Sequence, residues 1–192
     1  MFKIETGLYR DEYYAISTER LRLSVLKKSA FRRVTDYIFR NAEFHEKFSQ
    51  TRGPDYYSAH VQKEYLVSDV DAFKHGTLVP FWITLKGSDK IIGRVSFFNL
   101  AYGGMMSCAT GYHLDKDYTG QGIMTEALKG AIEYMFQEFR MHRIEAFILP
   151  ENEKSLAVVK RVGFTEEGTR AAYMHINGRY RDHVAFYVLN DV

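Results

Sequence analysis

The chain has 192 residues, with 26 basic against 24 acidic side chains and a formal charge of +2, which suits one well-filled domain over residues 1–192 and excludes a broad cationic field for gripping nucleic acid. One cysteine, Cys108, excludes an internal disulfide, and no run reaches the ~20 apolar residues of a membrane span. Residues 1–5 carry no apolar signal-peptide core, so the expectation is a reducing, cytoplasmic setting.

From Glu19 to Lys27, apolar Leu21, Leu23 and Val25 alternate with Arg20, Arg22 and Ser24, which predicts a half-buried first strand. Between Ser29 and His75, Phe31, Val34 and Ile38 and then Tyr57, Val61, Tyr65 and Leu66 recur at helical spacing, giving two helices divided at Gly53-Pro54 with those residues in the core. Residues 78–85 and 90–100 form a hairpin through Lys86-Gly87-Ser88-Asp89, and residues 106–114 add an antiparallel strand. From Gly120 to Phe139 the period becomes 3.6, with Ile123, Ala127, Leu128, Ala131, Ile132, Met135 and Phe136 in one apolar stripe. A strand over 142–149, a helix over 152–162 ended by Gly163, and strands over 164–174 and 181–189 joined at Asn177-Gly178 complete the chain. The class is α/β, a mixed and mostly antiparallel sheet flanked by helices. The 14 Phe and 14 Tyr suggest a concave aromatic surface besides the core.

Chemistry concentrates at Tyr118-Thr119-Gly120-Gln121-Gly122-Ile123-Met124. A strand-to-helix junction with two glycines lets a ligand approach the backbone, where unpaired amides and the helix dipole receive an anion without a lysine. The segment is neither Gly-x-Gly-x-x-Gly after an N-terminal strand nor a Gly-x-x-x-x-Gly-Lys loop, which weakens the dinucleotide and nucleoside-triphosphate readings.

Gly111-Tyr112-His113-Leu114, the 118–128 segment and Met141-His142-Arg143-Ile144 resemble the acyl-CoA-binding region of the GNAT superfamily of N-acetyltransferases. Asn152-Glu153-Lys154-Ser155, Arg161-Val162-Gly163-Phe164, Glu167-Gly168, residues 177–183 and the opening Thr18-Glu19-Arg20-Leu21-Arg22-Leu23 resemble the branch acting on the N-terminal alanine of ribosomal proteins. The pattern departs at Thr119, where Arg or Gln is usual, and at Met124, where Gly or Ala is commoner.

The resemblance implies the GNAT fold and acetyl-CoA as donor, its diphosphate on the amides of Gln121, Gly122, Ile123 and Met124. Thr119, Gly120 and Asn152 would complete that contact, and the pantetheine arm would pair along Tyr112, His113 and Leu114 into a splayed gap. It further implies acetyl transfer to a protein N-terminus, possibly ribosomal, by a monomer or homodimer. Asn152-x-x-Ser155 places two polar side chains on one helical face, and Ser155 is the candidate proton donor and a further cofactor contact, while Asn152 also suits a helix cap. For the base, Glu126, Tyr112, His113, Tyr173, Asp182 and His183 remain open, as does a water chain, and Asp182 also suits attraction of the substrate ammonium. Lys160 and Arg161 would touch the adenosine phosphates or form a solvated face. The seven histidines form no ligand spacing, so no metal is expected. A small-amine acetyltransferase and a non-enzymatic acyl-CoA sensor or ribosome-assembly partner are the competing functions.

Overall fold

The computed structural model describes residues 1–190, so the last two residues of the expected domain lie outside the description. Nine strands form one sheet in the order β1-β2-β3-β4-β5-β6-β7-β9-β8. They are β1 (Lys3–Ile4), β2 (Glu12–Ser17), β3 (Leu21–Leu26), β4 (Val79–Leu85), β5 (Ile91–Ala101), β6 (Ser107–Leu114), β7 (Arg143–Ile148), β8 (Thr165–Ile176) and β9 (Arg179–Leu189). Every neighbouring pair is antiparallel except β6 and β7. The helices are α1 (Phe31–Arg40), α2 (Ala42–Glu46), α3 (Ala59–Lys74), α4 (Ile123–Gln137) and α5 (Glu153–Val162). The mixed, mostly antiparallel α/β architecture agrees with the sequence reading.

The core has two parts. Val34, Tyr37 and Ile38 of α1 and Leu66 of α3 meet Leu26, Trp82 and Ile91 in one cluster. Ile123, Ala127, Leu128, Ala131 and Met135 of α4 belong to a larger cluster with Leu23, Phe81, Val95 and Ile144, the stripe that the 3.6 period marks. Tyr65 departs from expectation: it is exposed on α3.

The strand at Leu21–Leu26 is the third in chain order, and all six of its residues are buried. Arg22 and Ser24 belong inside because β2 supplies their partner. Glu12, itself buried, accepts from Arg22 Nε at 2.7 Å, Arg22 Nη2 at 2.6 Å and Ser24 Oγ at 2.5 Å. An alternating pattern therefore conceals a strand buried on both faces, its polar residues satisfied by a carboxylate next door.

Candidate active site

Strands β6 and β7 pair only over residues 107–110 and 143–146. Beyond that point β6 stays on β5 as far as Leu114, and β7 stays on β9 as far as Ile148. The parallel pair thus opens, with Gly111 and Tyr112 on one lip and Phe147 and Ile148 on the other. Helix α4 connects the two strands and begins beside the opening.

The turn before α4 is built for an anion. Gly120 and Gly122 adopt φ of +77° and +74°, in the left-handed region that favours glycine, and a Cβ at Gly120 would meet nothing within 4 Å. The first helical bond runs from Glu126 N to Gly122 O at 3.0 Å, and the amides of residues 121–125 make no backbone hydrogen bond. Thr119 Oγ1 donates to Lys116 O and Gln121 Nε2 to Asp117 O, each at 3.0 Å, while the side chains of Ile123 and Met124 are buried. What remains for a ligand is main chain at a helix N-terminus, the chemistry a diphosphate requires.

A cleft of about 740 Å³ runs from this turn, past His113 and Leu114 of β6, to Asn152, Lys154, Ser155 and Arg161 of α5. A smaller cavity of about 310 Å³ lies beside it. The two share five residues: Phe48, Ser49, Tyr112, Asn152 and Ser155. Ser155 therefore stands where the spaces meet. Asn152 caps α5, its Oδ1 accepting from Ser155 N at 3.2 Å, and Tyr112 Oη donates to Ser155 O at 2.9 Å. Both neighbours hold the Ser155 backbone, and neither takes its hydroxyl. Arg161 lines the cleft and Lys160 does not.

The candidate bases separate sharply. Glu126 accepts from Thr18 Oγ1 at 2.6 Å, Arg20 N at 2.8 Å and Arg20 Nε at 2.6 Å. Burial alone would raise its carboxyl, but these donors outweigh burial and hold it below the usual carboxylate range. It lines neither space, and its oxygens tie the first turn of α4 to Thr18 and Arg20. Asp182 lines neither space either, and its Oδ1 accepts from Ala172 N at 2.7 Å where the β8–β9 register slips. There it supports that bulge. Burial pushes the Tyr112 hydroxyl up, only partly offset by its bond to Ser155, so it stays protonated and donates to the Ser155 carbonyl. Tyr173 lies outside both linings, with its ring against Phe147 and His183.

Two histidines remain. His113 is held from Nδ1 by Tyr37 Oη at 2.6 Å. Burial, His45, Arg94 and Arg52 together keep it well below an ordinary histidine, so it is neutral at pH 7. Leu114 O is taken by His45 Nε2 at 2.8 Å. His183 is buried and lines the smaller cavity. Its Nδ1 lies 3.1 Å from Arg181 O. A carbonyl only accepts, so Nδ1 carries a proton and donates it, and Nε2 is free of a protein partner among the described residues. Cys108 is buried and its thiol is pushed up to about 12 by burial, which makes it unreactive.

Sequence reasoning missed most of the smaller cavity: Phe48, Arg52, Phe98, Phe147, Met174 and Ile176 come from one loop and three strands. The one local signal is Phe48 and Arg52 in the polar stretch before Gly53-Pro54.

A parallel strand pair that opens beside an amide-lined helix start, within this sheet order, defines an acyl-CoA-dependent acyltransferase. A family profile described as "Acetyltransferase (GNAT) domain" matches residues 20–165, and the chain belongs to that family. It is 36% identical over 150 residues to a probable N-acetyltransferase, YjcK, of Bacillus subtilis, covering 78% of this chain and 83% of that one. The crystal structure of ribosomal-protein-S5-alanine acetyltransferase from Vibrio fischeri superposes with a TM-score of 0.87 at 32% identity, covering 92% and 97% of the two chains. Mycobacterium smegmatis RimJ, solved in complex with CoA-disulfide, superposes with a TM-score of 0.84 at 25% identity, covering 99% and 86%. The protein is an N-acetyltransferase that uses acetyl-CoA.

Proposed function

We propose that the chain acetylates the α-amine of a protein N-terminus, with the N-terminal alanine of a ribosomal protein as the leading acceptor. The observation that carries this reading is the smaller cavity. It opens on the cleft at Ser155, it is walled by Phe48, Phe98 and Phe147, and among the described residues it contains no carboxylate. A polyamine would bring several charges into a space with no counter-charge, a costly desolvation. An acceptor that brings a single amine suits it far better. The Vibrio fischeri relative, named for alanine of ribosomal protein S5, supports the same acceptor.

Acetyl-CoA supplies an acetyl group already activated as a thioester. In this reading the exposed edges of β6 and β7 orient and polarise the carbonyl, as preorganised amides do. His183 Nε2 takes the proton released as the amine nitrogen becomes an amide. The Ser155 hydroxyl gives a proton to the leaving sulfur, held in place by Asn152 and Tyr112. No covalent bond to the enzyme is required. Family membership favours turnover over a sensing role.

The test offers acetyl-CoA with a mixed panel of ribosomal-protein N-terminal peptides, lysine-side-chain peptides and polyamines, and identifies products by mass spectrometry. Acetylation of α-amines, with alanine preferred in first position, is the expected result. Acetylation of spermidine alone would overturn it.

A further inference from the structure

The smaller cavity contains one fully charged side chain, Arg52. Its guanidinium lies 4.7 Å from the Tyr56 ring centroid, a cation–π contact that steadies the side chain while leaving its five donors for a ligand. No carboxylate of the described residues forms an ion pair with it. Arg181, nearer the end of β9, is by contrast neutralised by Glu151 at 2.5 Å. The other polar side chains of the cavity include Gln50, Thr110, Asn152 and Ser155, which are uncharged, and His183.

A cationic group in a carboxylate-free, aromatic-walled space acts on an incoming amine in two ways. It disfavours the ammonium form and so helps to present the neutral amine that attack requires. It also rewards any acceptor that carries an anion close to its amine, because a carboxylate there meets the planar fork of donors of Arg52, whose side chain is exposed at the mouth of the cavity. The field of Arg52 reaches the cleft, where it adds to burial, His45 and Arg94 in keeping His113 neutral.

We infer that Arg52 is a specificity-determining residue that selects acceptors bearing a carboxylate within a few bonds of the reacting α-amine. This rests on the acetyl transfer proposed above and narrows its acceptor class. The carboxylate has two sources: an Asp or Glu side chain in the second or third position of a protein N-terminus, or the α-carboxylate of a free amino acid.

The experiment measures kcat/KM for acetylation of alanine-led hexapeptides that differ only by Asp against Asn at positions 2 and 3, and of free alanine and aspartate, with spermidine alongside. The Asp peptides are expected to lead their Asn counterparts by about tenfold, the scale of one charge-assisted hydrogen-bonded contact. Arg52→Gln should reduce that ratio to about twofold or less by lowering the rate on Asp peptides alone, and Arg52→Lys should restore part of it. Equal rates on Asp and Asn peptides with the unaltered enzyme, or a ratio that survives Arg52→Gln, would overturn the assignment of Arg52 and leave N-terminal acetylation intact. Turnover of free amino acids with an Arg52-dependent preference would keep Arg52 and remove the protein N-terminus. Acetylation of spermidine alone would remove both.

Discussion

The turn at residues 118–124 and the cavity beyond Ser155, proposed above as donor and acceptor sites, are built in opposite ways. The turn binds with main chain from one continuous stretch, so two left-handed glycines and a helix start suffice. The cavity is made of side chains from the loop around Phe48, from β5, β6, β7, α5, β8 and β9. Donor binding is therefore concentrated where one substitution can ruin it. Acceptor choice is spread over side chains that can each be exchanged while the sheet stays as it is.

Ser155 lies on the border between the two regions and carries the largest expected effect. Ser155→Ala should lower kcat by on the order of 10²-fold, the lower end for loss of a positioned proton donor, while acetyl-CoA affinity stays within about twofold. Stopped-flow single-turnover rates with calorimetric titration of acetyl-CoA separate the two quantities. A variant that kept its rate while chemistry was the slow step would make the border a passive wall, and the proton would have to come from water.

Gly122→Val tests the concentrated side. At φ +74° a β-branched residue costs about 1–2 kcal/mol of backbone energy, and relaxing that strain turns the amides away from the ligand. Acetyl-CoA affinity should drop by roughly tenfold or more, the value of about one lost charge-assisted hydrogen bond, with a thermal midpoint shift of only a few degrees. A folded variant with unchanged affinity would show that the glycine turn is an ordinary helix start.

What the sequence disclosed follows the same division. The 3.6-period stripe of α4, the hairpins at Gly87 and Gly178 and the glycine turn that starts α4 are local in the chain, and all were legible as structure. Strand β2 was not, because its leading residue Glu12 is a buried carboxylate whose reason for being inside, Arg22, lies in the following strand. The surroundings of Glu126 were hidden for the same reason. An acidic residue in the first turn of the helix beside the site looks like a base, and only the fold brings Thr18 and Arg20, more than a hundred positions away, onto its oxygens. The acceptor cavity left almost no trace, since Phe98, Phe147 and Met174 converge only when the sheet is assembled.

The smallest effect concerns that clamp. Arg20 joins Glu126 in the first turn of α4 to the carbonyl of Gln121, at 2.6 and 3.2 Å, so it braces the glycine turn from outside the cleft. Arg20 is about half exposed and the pair is open to solvent, so its net contribution should be about 1 kcal/mol or less. The Glu126 carboxyl is depressed in the folded protein. Its stabilisation is therefore fully present above the unfolded carboxylate value of about 4.3 and fades as pH falls through the folded value beneath it. Glu126→Gln should lower the thermal midpoint by a degree or two at pH 7, with the difference from the unaltered protein shrinking below about pH 4. Because the carboxylate takes no part in proton transfer, the pH dependence of kcat between 6 and 9 should keep its shape, with at most a modest rise in KM for acetyl-CoA as the turn loosens. Loss of the rising limb of that pH profile in Glu126→Gln would return the residue to the role of base and dissolve the separation between a bracing carboxylate behind the turn and a histidine within the acceptor cavity.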